Sequence, residues 1–80
     1  MKIKLIGADT KNGIKIIKNM KKLERDLNIT FNVELISGQE KNKYHIKEIP
    51  TLIIDNKITS VNYVPTEREL RNILKPVLEN

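Results

Sequence analysis

Eighty residues bound this chain to one domain, 1–80, with room for a single modest core, and the absence of cysteine excludes disulfides, thiolate metal sites and thiol catalysis. The formal net charge of +5 is unevenly spread: residues 1–22 carry seven lysines (Lys2, Lys4, Lys11, Lys15, Lys18, Lys21, Lys22) against Asp9, whereas residues 23–40 are net acidic. A local excess of this kind attracts a polyanion or an acidic partner, although a composition rich in Lys, Asn and Ile is the simpler account.

In chain order, Lys2-Ile3-Lys4-Leu5-Ile6 alternates and reads as a strand with Ile3 and Leu5 on one face. Gly7 to Gly13 is small and polar, a loop in composition. Beyond Ile14, the residues Ile16, Ile17, Met20, Leu23 and Leu27 recur at helical spacing, with Lys11, Lys15, Lys18 and Lys22 on the other side, which predicts an amphipathic helix of about four turns. Asp9, Thr10 and Asn12 are all competent N-caps for it. Asn28-Ile29-Thr30 closes the helix, and Phe31 to Ile36 alternates as a second strand with Phe31, Val33 and Leu35 inward. Strand, crossover helix and strand of this length imply a right-handed unit with parallel strands. Ser37 to Tyr44 is polar, a short surface helix or a loop, anchored by Tyr44 and Ile46.

Ile49-Pro50 stands at the entrance of an apolar strand, Thr51 to Asp55; local pattern leaves the isomer of that proline open. Asp55-Asn56-Lys57 reads as a tight hairpin turn into Lys57 to Val61. Thr66 and Glu69 form a capping box after Pro65, and Leu70, Ile73, Leu74, Val77 and Leu78 carry a last helix that Pro76 should kink or fray. The order β-α-β-α-β-β-α gives an α/β fold with a four-stranded mixed sheet and helices on both faces, long helices being expected on each. Lys2, Lys4 and Lys57 are expected to discourage pairing of sheet edges between copies, leaving a monomer or weak dimer.

Tyr44-x-Ile46-x-x-Ile49-Pro50-Thr51-Leu52, taken with the order of elements, resembles the thioredoxin and glutaredoxin superfamily, in particular its very small glutaredoxin-like redox-disulfide proteins. Met1 to Gly7 and Val64-Pro65-Thr66 correspond as well, so the resemblance covers nearly the whole chain. It implies a thioredoxin-like fold and a cis Pro50 beside the active site. Where those proteins carry Cys-x-x-Cys, however, Thr10-Lys11-Asn12-Gly13 stands here. Thiol–disulfide exchange needs two sulfurs, so the resemblance implies a redox-inactive relative.

The only histidine, His45, falls at the end of the second helix by the same resemblance, away from Thr10, and replaces a family glycine. Thr10 is therefore expected to be an N-cap and not an activated hydroxyl, and Gly13 either to loosen the first turn or to permit a close backbone approach. What the resemblance leaves is a peptide-binding loop at Ile49 and Pro50, with Asn62 and Tyr63 opposite and Thr10 and Lys11 between. Val61-Asn62-Tyr63 lacks the glycines that serve glutathione in the family, which argues against glutathione.

With no metal spacing or phosphate-loop pattern, no catalytic residue, metal or cofactor is expected. A small binding module for an unidentified protein partner is the leading expectation. Nucleic-acid binding through the lysine face of the first helix is the alternative, and a non-redox enzyme using Thr10 a third. No apolar run approaches the roughly 20 residues that span a bilayer, and the chain enters a lysine-flanked strand directly, so no membrane partner and a cytoplasmic location are expected.

Overall fold

The computed structural model describes residues 2–75. Their elements are β1 (Ile3–Ile6), α1 (Lys11–Leu27), β2 (Val33–Ile36), a 3-10 helix (Gly38–Tyr44), β3 (Thr51–Ile54), β4 (Lys57–Val61) and α2 (Glu67–Ile73). They form the expected α/β architecture, one four-stranded mixed sheet in the order β2-β1-β3-β4, with β1 parallel to β2 and antiparallel to β3.

Local chemistry accounts for the boundaries. Thr10 is the N-cap of α1, and Asn28, in the left-handed region at φ 54°, closes it with its own N–H on the Arg25 carbonyl and that of Ile29 on Glu24. Asp55 and Asn56 take φ 49° and 68°, the two positive values that a tight hairpin turn requires and that these side chains tolerate. The capping box is formed: the Glu69 N–H donates to the Thr66 hydroxyl while the Glu69 carboxylate accepts the Thr66 N–H. Val77, Leu78 and the kink expected at Pro76 lie outside the described residues.

The two faces of the sheet are closed differently. On the first, Ile3 and Leu5 of β1 and Leu52 and Ile54 of β3 meet Ile16, Met20 and Leu23 of α1 and Leu70 and Leu74 of α2. Full burial of a leucine or isoleucine contributes about 1.5–3 kcal/mol, so this cluster carries most of the fold's apolar stabilisation. The second face holds a smaller cluster, Ile6, Ile36 and Ile46, with Tyr44, Ile49 and Ile53 packed against it. Helices thus lie on both faces, but the second is covered by the 3-10 helix in place of the long helix expected there.

Two expectations about the strands change. Leu35 is 56% exposed, not inward. It lies on the α1 side of β2, an edge strand, where a shallow groove lined by Ile17, Lys21 and Leu35 separates helix from strand. Lys2 and Lys4 guard no edge, because β1 runs between β2 and β3; Lys4 instead places its ammonium 5.4 Å from the centre of the Tyr44 ring.

Candidate functional site

The β1–α1 turn is built on two glycines. Gly7, at φ +87°, ends β1, and its N–H and that of Ala8 both donate to the Ile36 carbonyl, at 2.8 and 3.1 Å, which ties the turn to β2. The Gly7 carbonyl points back to α1: the Thr10 N–H donates to it at 3.0 Å and the Thr10 hydroxyl at 2.6 Å. That hydroxyl in turn accepts the Gly13 N–H at 3.0 Å. The Thr10 proton is thus held by a carbonyl oxygen that has no capacity to remove it, an arrangement suited to capping and not to nucleophilic attack.

Gly13 is buried, and a Cβ there would fall on the Gly7 carbonyl and lie 2.9 Å from the Ala8 Cα. Of the two roles open to this glycine, the close backbone approach is the one realised. Lys11 is exposed on the first turn of α1 and Asn12 half-buried beside it.

The Ile49–Pro50 peptide bond is cis, the isomer the resemblance implies. Gly7 and Gly38 receive the loop that contains it. A Cβ on Gly7 would come within 2.7 Å of the Ile49 Cβ and 3.2 Å of the Pro50 Cα, and one on Gly38 would meet the tip of the same isoleucine. The half-buried Ile49 side chain therefore fits between two backbones that carry none.

Pro50 is buried, and its carbonyl accepts the Asn62 N–H at 2.8 Å. Asn62 is thus bonded directly to the proline at the end of β4, with φ 48°. The exposed Tyr63 ring turns its hydroxyl to Glu69, 2.6 Å away. That hydrogen bond to a carboxylate raises the Tyr63 pKa, while the Thr66 N–H and then the Tyr63 hydroxyl lower that of Glu69.

Thr10, Gly13, Ile49, Pro50 and Asn62 accordingly form one chain of contacts through Gly7, whereas Tyr63 joins the cap of α2. The family model of the thioredoxin domain matches residues 1–75. The chain belongs to the thioredoxin domain family. No match was found among curated proteins or among solved structures. As a thioredoxin domain without cysteine, it has no thiolate with which to attack a disulfide and no second sulfur to release a mixed one, so thiol–disulfide exchange is excluded. The Gly7 carbonyl fills the space that a side chain at residue 13 would need.

Sequence reasoning missed the part played by Asp9, which it treated only as a possible cap of α1. Its carboxylate accepts the Gly38 N–H at 2.8 Å and the Ser37 hydroxyl at 3.1 Å, clasping the β1–α1 turn to the start of the 3-10 helix. The Gly38 N–H, then the Ser37 hydroxyl, hold the Asp9 pKa below the usual carboxylate value. A Ser-Gly pair 28 and 29 residues downstream gives no local signal of such a contact. His45 is exposed and closes the 3-10 helix at φ 58°, a left-handed conformation that glycine would adopt without strain. Among the described residues, no group of His, Asp and Glu is placed to hold a metal ion, and no helix is long and apolar enough to cross a membrane.

Proposed function

We propose that this thioredoxin domain is a redox-inactive, non-enzymatic, cytoplasmic binding module that takes an extended segment of a protein partner along the Ile49–Pro50 loop. The supporting observation is the seating of Ile49 between Gly7 and Gly38, which holds the loop in one conformation although no sulfur lies beside it to be served. A preorganised loop leading into a strand binds a peptide with little ordering cost. The test is selection of peptides from a displayed random library, followed by amide chemical-shift mapping on the full chain. Selected peptides should move Ile49, Thr51 and Asn62, and Ile49→Asp should weaken them by about tenfold or more, a loss of roughly 1.4 kcal/mol. Peptides that bind Ile49→Asp unchanged, or reduction of insulin above background, overturn the proposal.

One observation favours the alternative partner, a polyanion. Lys18, Lys21, Lys22 and Arg25 line a single cleft of about 740 Å³ along α1. Against it, Lys22 lies 3.6 Å from Glu67, and Asp26 stands near enough to Glu67 to raise its pKa. Binding to single-stranded DNA that falls steeply with salt supports this reading; weak, salt-insensitive binding removes it.

A further inference from the structure

We propose that the edge strand β4, with the groove beside it, docks an extended segment of a partner protein in which apolar and acidic residues alternate. The proposal rests on the reading of the domain as a binding module and names a second surface and the chemistry of its occupant.

Ile58 and Val61 are three residues apart, and in a regular strand that odd spacing points two side chains to opposite faces. Here Thr51 pairs with Val61, Leu52 with Ser60, Ile53 with Ile58 and Ile54 with Lys57, and the register shifts between Leu52 and Ile53. Thr59 is the extra residue of a β-bulge, and its hydroxyl donates to the Leu52 carbonyl at 3.0 Å. The bulge brings Ile58 and Val61 to the same, second face of the sheet, where they are 57% and 44% exposed. Together they border a groove of about 340 Å³ whose buried members are Ile46 and Thr51. A single exposed isoleucine is ordinary, but two β-branched residues turned to one face by a bulge, over a groove, make a built apolar surface.

The strand beside this groove is an edge, paired on one side with β3, so its outer row of backbone groups is a template for a further strand. Charge selects what adds there. Lys47 and Glu48 both border the groove, so their charges offset and leave that side to apolar contact. Lys57 pairs with Ile54 and so belongs to the first-face side of the strand. Side chains of an added strand alternate between faces: those over the groove meet Ile58 and Val61, and those on the other side meet Lys57. An alternation of apolar and acidic residues satisfies both. A second copy of this chain, itself at +5 and with Lys57 on the same edge, does not.

The probes are two short peptides, one alternating valine with glutamate and one alternating valine with lysine, titrated at low ionic strength into the ¹⁵N-labelled full chain. The glutamate peptide should move the amides of Ile58 to Val61, Ile46 and Thr51. Ile58→Ser and Lys57→Glu should each weaken it by about tenfold, and the lysine peptide should bind at least about tenfold more weakly than the glutamate one. Unchanged thermal unfolding of both variants, whose sites are exposed, separates loss of binding from loss of fold. Equal binding of the two peptides, no β4 shifts at millimolar peptide, or a dimer in sedimentation that Ile58→Ser abolishes would each overturn the proposal. The Ile49→Asp variant distinguishes the two surfaces. If peptide shifts are confined to Asn62 and its neighbours and vanish in Ile49→Asp, the loop reading stands and this one fails. If β4 shifts persist in Ile49→Asp with the fold intact by its amide spectrum, this surface binds independently of the loop, whose own reading is decided by the library-selected peptides.

Discussion

The first face of the sheet and the second are made from the same four strands yet are closed to different degrees. α1 and α2 bury Leu5, Leu52 and Leu70 completely on the first face, and the cluster there is continuous from Ile3 to Leu74. On the second, the 3-10 helix covers Ile6 and Ile36 but stops short of β4, where Ile58 and Val61 face solvent. A seven-residue 3-10 helix has less surface to offer than a 17-residue α-helix, so the β4 end of the second face stays uncovered. Most of the buried apolar side chains thereby lie on the first face, and the β1–α1 turn and the Pro50 loop touch through Gly7.

The largest expected effect tests the closed face. Leu5→Ala should lower stability by about 2–5 kcal/mol in urea unfolding, whereas Ile58→Ser on the open face should change it by less than about 0.5 kcal/mol. Similar costs for the two would erase the distinction between the faces.

Gly13→Ala is next. In an ordinary helix interior that change stabilises by about 1 kcal/mol. Here the new methyl meets the Gly7 carbonyl, a backbone group that the Thr10 hydrogen bonds hold in place, so a loss of about 1–3 kcal/mol is expected by the same measurement. A gain would show that the turn yields freely to a side chain at residue 13.

The smallest effect concerns the clasp between turn and 3-10 helix. Because Asp9 titrates below its ordinary value in the folded chain, its contribution is complete above the unfolded pKa and is lost as pH falls through the folded one. The carboxylate is exposed to solvent, so the change is slight. Asp9→Ala should flatten the acid limb of a plot of melting temperature against pH, and an unchanged limb would show that the clasp contributes nothing.

Much of the fold was legible because its signals are local. The apolar spacing of Ile16, Met20 and Leu23, the Asp55-Asn56 turn and the Thr66–Glu69 box each act within a few residues. The motif around Ile49-Pro50 pointed to the thioredoxin domain and to the cis bond by resemblance, not by any local rule. Among Asp9, Thr10 and Asn12 local pattern left the cap open and the resemblance favoured Thr10, which the structure bears out: its hydroxyl reaches both the Gly7 carbonyl and the Gly13 N–H. Leu35 misled because alternation places a side chain on a face without saying whether a helix covers that face, and β2 lies at the edge.

By itself, then, the sequence determined the order of elements, the apolar side of each helix and the impossibility of thiol chemistry, since all three depend on residue type and short spacing. Tertiary structure alone decided that Gly13 makes room for the Gly7 carbonyl, that Asp9 clasps Ser37 and Gly38, and that a bulge at Thr59 turns Ile58 and Val61 to one face. Those outcomes depend on strand register and on the approach of segments distant in the chain, and no local propensity encodes either.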